Sequence, residues 1–163
     1  MILIGLGSNI TGPWGTPQQS VEQALHALNH GPVRLVASSA LLITEPFGRK
    51  NQPPFVNAVA AISTHLSPDA LLRRLHMIER EAGRQRRLRW GPRTLDLDLL
   101  DYHGLVRAKR SLSFRPLVMP HPGISARLFV LEPLASIAPH WRHPLTKETA
   151  AFTIRKLRRL NGA

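Results

Sequence analysis

The segment LDLDLL, residues 95–100, alternates leucine with aspartate, and no other stretch restricts the fold of this chain so strongly. Successive side chains of a β-strand point to opposite faces, so the pattern predicts a strand over 94–101 with a leucine face and a carboxylate face. Asp96 and Asp98 then lie side by side and repel each other. One explanation is an edge strand with a polar outer face. The other is a well-buried strand whose carboxylates hold a cation.

The remaining patterns predict an α+β fold. Thr16 and Pro17 suit the N-cap and first position of a helix, and Ser67 suits the N-cap of a second helix that Gly83 ends. The element order is β-α-β-β-α-β, the ferredoxin-like plan of a mainly antiparallel sheet packed with helices, followed by C-terminal helical additions. The predicted strands span 2–7, 33–44, 55–64 and 94–101, and the predicted helices span 17–29, 67–82, a short stretch near 123–128 and a basic segment at about 148–160. We expect residues 1–163 to form one domain, with the last few residues disordered.

Charge and composition narrow the choice of partners. The chain has 22 Lys and Arg against 10 Asp and Glu, a net charge of +12, which attracts nucleic acid, an anionic membrane or a phosphate-bearing small molecule. The absence of cysteine excludes a disulfide scaffold and thiolate zinc sites, and we expect a cytoplasmic protein because no secretory signal or membrane span is present. The P-loop signature is absent. Gly5 and Gly7 indicate a tight turn after the first strand rather than a dinucleotide site.

Arginines crowd the segment that leads into the aspartate strand. Such a run of charged residues usually forms a solvated loop. Here, however, the run directly precedes the aspartate strand in the sequence, so the arginines lie close to the carboxylates. Mg²⁺ takes one or two carboxylates and completes its shell with water and phosphates, which guanidinium groups also bind. Carboxylates, magnesium and arginines together predict phosphoryl transfer from a nucleotide. Trp90 in the same loop suits a cover over a planar ligand.

Several motifs, in order along the chain, resemble one enzyme family. They are IGLGSN, TEPFGRKNQPPFVNAV, IEREAGR, RWGPRTLDLDLL and LVMPHPGISARLFVLEPLASIAP, and together they span roughly residues 2–139. The chain resembles the 6-hydroxymethyl-7,8-dihydropterin pyrophosphokinases, folate-pathway enzymes that move pyrophosphate from ATP to a pterin alcohol. The resemblance implies the same ferredoxin-like fold, ATP and 6-hydroxymethyl-7,8-dihydropterin as substrates, and two Mg²⁺ ions. We expect a monomer that binds no nucleic acid and no membrane.

The resemblance also implies the residues of the site. Asp96 and Asp98 hold the metal ions, and with Arg84 and Arg93 they form the catalytic set. A pterin is flat, with donors and acceptors along one edge, so aromatic faces can stack on it and an amide can pair with that edge. The implied pterin residues are Thr44, Glu45, Phe47, Phe55, Asn57, Trp90 and Phe129, of which Phe55 and Phe129 stack on the ring and Asn57 bonds its edge. The implied ATP residues are Glu79, Arg84, Arg86, Trp90, Arg93, Leu99, His121 and Arg127.

Two other functions remain open from the sequence. Ferredoxin-like sheets often bind RNA, and the net charge suits a nucleic-acid-binding module. Such modules cluster aromatic residues on strand faces, however, and here only Phe55 lies on a candidate strand face. A relative that kept the fold and lost the activity is the other possibility, and the intact Asp96, Asp98, Arg84 and Arg93 argue against it.

Overall fold

The computed structural model describes residues 1–46, 51–84, 92–108, 117–160 and 162. One sheet joins five strands in the order β2-β4-β1-β5, with β3 also pairing β4, and every pairing is antiparallel. The predicted α+β class and ferredoxin-like order are therefore confirmed. In chain order the elements are β1 (Ile2–Ser8), α1 (Pro17–Ala27), β2 (Val33–Ser38), β3 (Leu42–Thr44), β4 (Phe55–Thr64), α2 (Pro68–Glu81), β5 (Asp96–Tyr102), a 3₁₀ turn (Ile124–Ala126), α3 (Leu128–Ile137) and α4 (Ala150–Leu160).

Local signals set the helix starts as the sequence predicted. The Thr16 hydroxyl accepts a hydrogen bond from the Gln19 N–H at 3.3 Å, and the Gln19 side chain accepts one from the Thr16 N–H at 2.9 Å, which is a capping box. Ser67 caps α2 in the same way, since its hydroxyl accepts from the Ala70 N–H at 3.3 Å. Gly83 follows α2 with a φ of +78°, the left-handed conformation in which glycine commonly ends a helix.

The single strand predicted over 33–44 is divided. β2 and β3 both pair with β4, and the chain crosses between them at residues 39–41. Ser39 keeps this crossing attached to β4, because its N–H donates to the Val59 carbonyl at 2.9 Å and its hydroxyl accepts from the Val59 N–H at 3.0 Å. The interruption therefore leaves no gap in the hydrogen bonding of β4.

Helices cover both faces of the sheet. α1 and α2 bury one face, where Ile4 and Leu97 are core residues, while α3 and α4 pack on the other face against Leu3 and Val59. The short helix predicted near 123–128 is a 3₁₀ turn, and the sequence pattern did not predict the α3 helix that follows. That segment is apolar apart from Glu132 and Ser136, and it contains Pro133, which disfavours a helix interior, so the sequence pattern gives little indication of an amphipathic helix. Among the described helices, none is both long and apolar enough to cross a membrane.

Two features of the sheet depart from simple alternation. The register between β1 and β5 shifts between Leu3 and Ile4, which pair with Asp101 and Leu99, so Leu100 is the extra residue of a β-bulge. The tight turn predicted at Gly5 and Gly7 is wrong, because both glycines lie inside β1, between β4 and β5. β1 thus carries two positions without side chains in the middle of the sheet.

Candidate active site

A cavity of about 510 Å³ lies over the part of the sheet that α3 and α4 leave open, and it extends past the edge of β5 to α2. Its volume is in the range of ordinary ligand pockets. All predicted site residues that the structure describes line this one cavity: Thr44, Glu45, Phe55, Asn57, Glu79, Arg84, Arg93, Asp96, Asp98, Leu99, His121, Arg127 and Phe129. The other predicted site residues, Phe47, Arg86 and Trp90, lie outside the described residues.

Gly5 and Gly7 line the cavity between Asn57 at one end and the two aspartates at the other. Gly7 pairs with Asn57 of β4 on one side and with Asp96 of β5 on the other, and Gly5 is opposite Asp98. A Cβ atom on Gly7 would lie 3.1 Å from the Asn57 Oδ1, which is tighter than ordinary contact. The absence of side chains on β1 therefore leaves room on the sheet for a ligand that reaches from Asn57 to the aspartates.

Asp96 lies between two arginines. One carboxylate oxygen pairs with Arg84 and the other with Arg93, which comes from the segment just before β5. Burial and the nearby Arg84 both lower the pKa of the Arg93 guanidinium. Two like-charged groups are therefore held together here by a shared carboxylate, and an anion in the cavity would find both cations in place.

Asp98 has a different environment from Asp96 although both face the cavity. Among the described residues, its partners are at longer range, with the Arg127 guanidinium at 3.6 Å and the His121 Nε2 at 3.8 Å from Oδ2. Burial raises the pKa of the Asp98 carboxyl, even though Arg127 and Arg93 act in the opposite direction. The Asp98 carboxylate is thus less well compensated than that of Asp96, which is the situation that a bound cation would relieve.

His121 is neutral in this site. Burial and the adjacent Arg127 lower its pKa to about 4. Its Nδ1 accepts a hydrogen bond from the Gly123 N–H at 3.0 Å, so the ring proton is on Nε2. His121 therefore offers a neutral N–H donor close to Asp98, supported by its own backbone, whose N–H donates to the Leu100 carbonyl at 2.9 Å.

The opposite end of the cavity is built from aromatic and amide groups. Phe55 and Asn57 are two residues apart on β4, so they share the face on which the cavity lies. Asn57 is 5% exposed, and its amide donates to the Thr44 hydroxyl at 2.7 Å. Phe129 enters from the first turn of α3, with the Arg127 guanidinium carbon 5.8 Å from its ring centre. This end can hold a flat ligand whose edge forms hydrogen bonds.

Asn9 is a buried polar residue next to the site whose role the sequence analysis missed. Its amide donates to the Gln52 side chain at 3.1 Å and to the Pro53 carbonyl at 3.0 Å, and its Oδ1 accepts from the Arg93 N–H at 2.8 Å. Asn9 thus ties the segment before β4 to the segment before β5. It is 2% exposed, and an asparagine directly after a buried strand was the available signal.

The side of the cavity on α2 was also incompletely predicted. Leu72 and His76 are four residues apart on α2, and they line the cavity together with Leu117 from the other side. Neither Leu72 nor His76 is among the site residues that the family resemblance implied. The position of these residues beside the aspartates depends on how α2 packs along the edge of β5, which no local pattern contains.

Comparisons with known proteins agree on one family. Residues 3–139 match the family model described as 7,8-dihydro-6-hydroxymethylpterin-pyrophosphokinase. The 2-amino-4-hydroxy-6-hydroxymethyldihydropteridine pyrophosphokinase of Pseudomonas aeruginosa is 44% identical to this chain over 167 residues, which cover 99% of this chain and 98% of that protein. The protein of the same name from Haemophilus influenzae is 39% identical over 164 residues, covering 97% and 96%.

A solved structure shows the similarity of fold. The structure titled "Crystal Structure Analysis of the HPPK-DHPS in complex with substrates" matches with a TM-score of 0.75 at 13% identity. The match covers 98% of this chain but 44% of that longer chain. At this identity the likeness concerns the fold alone.

Proposed function

Because the chain belongs to the 7,8-dihydro-6-hydroxymethylpterin-pyrophosphokinase family, we propose that it transfers pyrophosphate from ATP to the hydroxymethyl group of 6-hydroxymethyl-7,8-dihydropterin. The products are AMP and the pterin diphosphate, an intermediate of folate biosynthesis. One observation carries the proposal: a single cavity joins an aromatic and amide end to an end with two aspartates and three arginines. These are the chemistries that a pterin and a nucleotide polyphosphate require.

The arginines are proposed to bind the phosphates. Arg84 and Arg93 converge on Asp96, and Arg127 approaches Asp98, so guanidinium groups surround both carboxylates. A triphosphate in the cavity would exchange these partners for its own oxygens, which planar guanidinium groups bind in pairs. We propose that Arg84 and Arg93 neutralise the charge of the transferred group, since phosphoryl transfer depends mainly on positioning and electrostatic stabilisation.

Asp96 and Asp98 fit a magnesium site that the nucleotide completes. In the part of the chain that the structure describes, no three or more His, Cys, Asp or Glu residues form a cage for a metal. Two carboxylates on one face of a strand are what Mg²⁺ accepts when phosphates and water supply its other ligands. We propose that these two aspartates hold two Mg²⁺ ions together with ATP. When bound, Mg²⁺ would offset the charge of the phosphates and orient them for in-line attack.

His121 and Arg127 are proposed to act beside Asp98. The neutral imidazole of His121 can donate its Nε2–H to a phosphate oxygen without adding charge, because its Nδ1 is already occupied by the Gly123 N–H. Arg127 lies between Asp98 and the Phe129 ring, so it links the phosphate end of the cavity to the pterin end. Leu99 supplies an apolar contact on the nucleotide side.

The pterin is proposed to lie between Phe55 and Phe129. Asn57 would pair with its polar edge, and the hydrogen bond from Asn57 to Thr44 fixes the amide in advance of binding. Glu45 borders the same end of the cavity. The proposed roles of Phe47 in the pterin pocket, Arg86 at the phosphates and Trp90 as a cover that excludes water are carried by the family resemblance, because these residues lie outside the described ranges.

The wider setting of the activity is also a proposal. We propose that residues 1–163 act as one domain, as a cytoplasmic monomer whose partners are small molecules. The chain has no cysteine, which suits a reducing compartment. The alternative of a nucleic-acid-binding module is not supported, since the matching family and relatives are pyrophosphokinases.

An assay of AMP formation tests the proposal. Purified protein, ATP, Mg²⁺ and 6-hydroxymethyl-7,8-dihydropterin should yield AMP in equal amounts to the pterin diphosphate. Omitting the pterin should remove the AMP signal, and replacing Mg²⁺ with excess chelator should do the same. Folded protein that forms no pterin-dependent AMP would refute the proposed function.

A further inference from the structure

Glu79 is a charged residue on the buried stripe of α2. It is 2% exposed, and its neighbours on that stripe, Leu75 and Ile78, belong to the core between α2 and the sheet. A carboxylate is tolerated in such surroundings only when hydrogen bonds and opposite charges compensate its desolvation. Glu79 has both, because its Oε1 accepts from the Leu97 N–H at 2.9 Å and pairs with Arg84.

The bond to Leu97 fixes the strand that carries the two aspartates. β5 is the outermost strand of the described sheet, so alternate N–H groups along it have no neighbouring strand to bond. Leu97 lies between Asp96 and Asp98, and Glu79 supplies the acceptor that its N–H lacks. A fixed backbone at Leu97 fixes the direction in which both carboxylates leave the strand.

The bond to Arg84 fixes a guanidinium. Arg84 pairs with Glu79 from α2 and with Asp96 from β5, and its side chain is 11% exposed. The backbone continues this link, since the Arg84 N–H donates to the Glu79 carbonyl at 3.0 Å. Arg84 is thereby held at the junction of the helix and the edge strand, with little freedom to turn toward solvent.

We infer that Glu79 is a positioning residue, which acts through the Leu97 N–H and Arg84 to set the places of both aspartates and of the Arg84 guanidinium. This inference rests on the proposed function, in which those groups bind the nucleotide phosphates and Mg²⁺. It replaces the sequence-based assignment of Glu79 to direct contact with ATP. The buried carboxylate organises the phosphate end of the cavity from the α2 side.

Two substitutions separate the two bonds. Glu79→Gln keeps a carbonyl oxygen for the Leu97 N–H but removes the charge that holds Arg84. Glu79→Leu removes both. Glu81→Gln is the matched control, because Glu81 is exposed two residues further along α2 and loses the same charge. Hydrogen exchange of the Leu97 amide should stay within about 3-fold of the unmodified protein in Glu79→Gln and Glu81→Gln, and should accelerate at least about 10-fold in Glu79→Leu.

A double-mutant cycle tests the action through Arg84. In the otherwise unmodified protein, Glu79→Gln should lower kcat about 10-fold while KM for ATP changes less than about 2-fold. In an Arg84→Gln background, the same substitution should change kcat by less than about 2-fold, because the group it holds is gone. Glu81→Gln should be silent in both backgrounds. A purely structural role for Glu79 would instead lower the concentration of active enzyme and leave no dependence on Arg84.

Two results would overturn the inference. Equal effects of Glu79→Gln with and without Arg84 would mean that Glu79 does not act through Arg84. Unchanged Leu97 exchange in Glu79→Leu would mean that the strand does not depend on this carboxylate. If Glu79→Leu does not fold, the Glu79→Gln cycle decides alone. If the unmodified protein forms no pterin-dependent AMP, the proposed function fails, and Leu97 exchange in the folded variants still tests the positioning.

Discussion

Neutral substitutions at the two aspartates should have opposite effects on stability, although both should remove activity. Asp96 is 17% exposed and pairs with two arginines, so Asp96→Asn leaves Arg84 and Arg93 close together without their shared counter-ion. Removing one partner of a buried ion pair costs about 3–5 kcal/mol, and we expect about 2 kcal/mol here because solvent reaches part of the site and the asparagine carbonyl still accepts hydrogen bonds.

Asp98→Asn should leave the ligand-free protein at least as stable. The Arg127 guanidinium is 3.6 Å from its carboxylate and the neutral His121 ring is 3.8 Å away, and burial raises the pKa of this carboxyl above its value in the unfolded chain. A raised pKa means that the folded state binds the proton more tightly, so the ionised group opposes folding at neutral pH. A neutral amide removes that penalty. The charge of Asp98 thus favours ligand binding but lowers the stability of the ligand-free protein.

Urea unfolding at pH 7.5 without ATP and magnesium checks this contrast. Asp96→Asn should lower the free energy of unfolding by about 2 kcal/mol, which is a fall in Tm of roughly 4–8 °C for a chain of this size. Both variants should lose at least about 100-fold in kcat. Asp69→Asn is the control, because Asp69 forms a surface pair with Arg107 at 2.7 Å that is worth less than about 1 kcal/mol. An Asp98→Asn protein that is less stable than Asp96→Asn would refute the reasoning.

Three further predictions concern other parts of the structure. His143 accepts hydrogen bonds at Nδ1 from the Leu145 and Thr146 N–H groups, and burial lowers the pKa of its imidazole. The unfolded chain therefore binds this proton more tightly than the folded protein does. The free energy of unfolding should fall as the pH drops below about 6.5. His143→Asn should reduce that slope between pH 7.5 and 5.5 by up to about 1.4 kcal/mol per pH unit, and an unchanged slope in urea unfolding would contradict it. Gly7→Ala should raise KM for the pterin at least about 10-fold and change KM for ATP by less than about 2-fold, because the new methyl group reaches the pterin end of the cavity. Equal changes in both KM values would contradict the placement of the pterin beside Gly7. Asn9→Ala should lower the free energy of unfolding by about 2 kcal/mol and weaken the binding of both substrates, since it leaves the part-buried Arg93 N–H without its acceptor. A loss below about 0.5 kcal/mol in urea unfolding would show that the bond is dispensable.

Local sequence was sufficient for the features that depend on neighbouring residues. The alternation in residues 95–100 correctly predicted that Leu97 faces the core while Asp96 and Asp98 share the opposite face. The N-caps at Thr16 and Ser67 were also predicted correctly, because a cap is a contact between residues three positions apart. The roles at Phe47, Arg86 and Trp90 stay predictions, since these residues lie outside the described ranges.

Tertiary structure decided what lies around those elements. The bulge at Leu100, where the register between β5 and β1 shifts, ends the alternation of side chains along β5. Asp101 therefore lies on the side of the sheet that α3 and α4 cover. Its carboxylate accepts a hydrogen bond from the Trp141 indole N–H at 2.7 Å. The sequence around Gly5 and Gly7 is compatible with either a turn or a strand. Only the pairing of β1 with both β4 and β5 places the two glycines beneath the ligand cavity.

The sequence by itself determined the period of the elements in which apolar and polar residues alternate regularly, and hence which of their side chains share a face. It could not determine which face another element covers, since that depends on residues far apart in the chain. α3 has only Glu132 and Ser136 to mark its polar side, and Pro133 obscures its helical pattern. Glu79 lies on the buried stripe of α2 only because Arg84 and the Leu97 N–H at the edge of β5 compensate its charge. Burial of a charge is a property of the assembled fold, and so is the half-open sheet face on which the site is built.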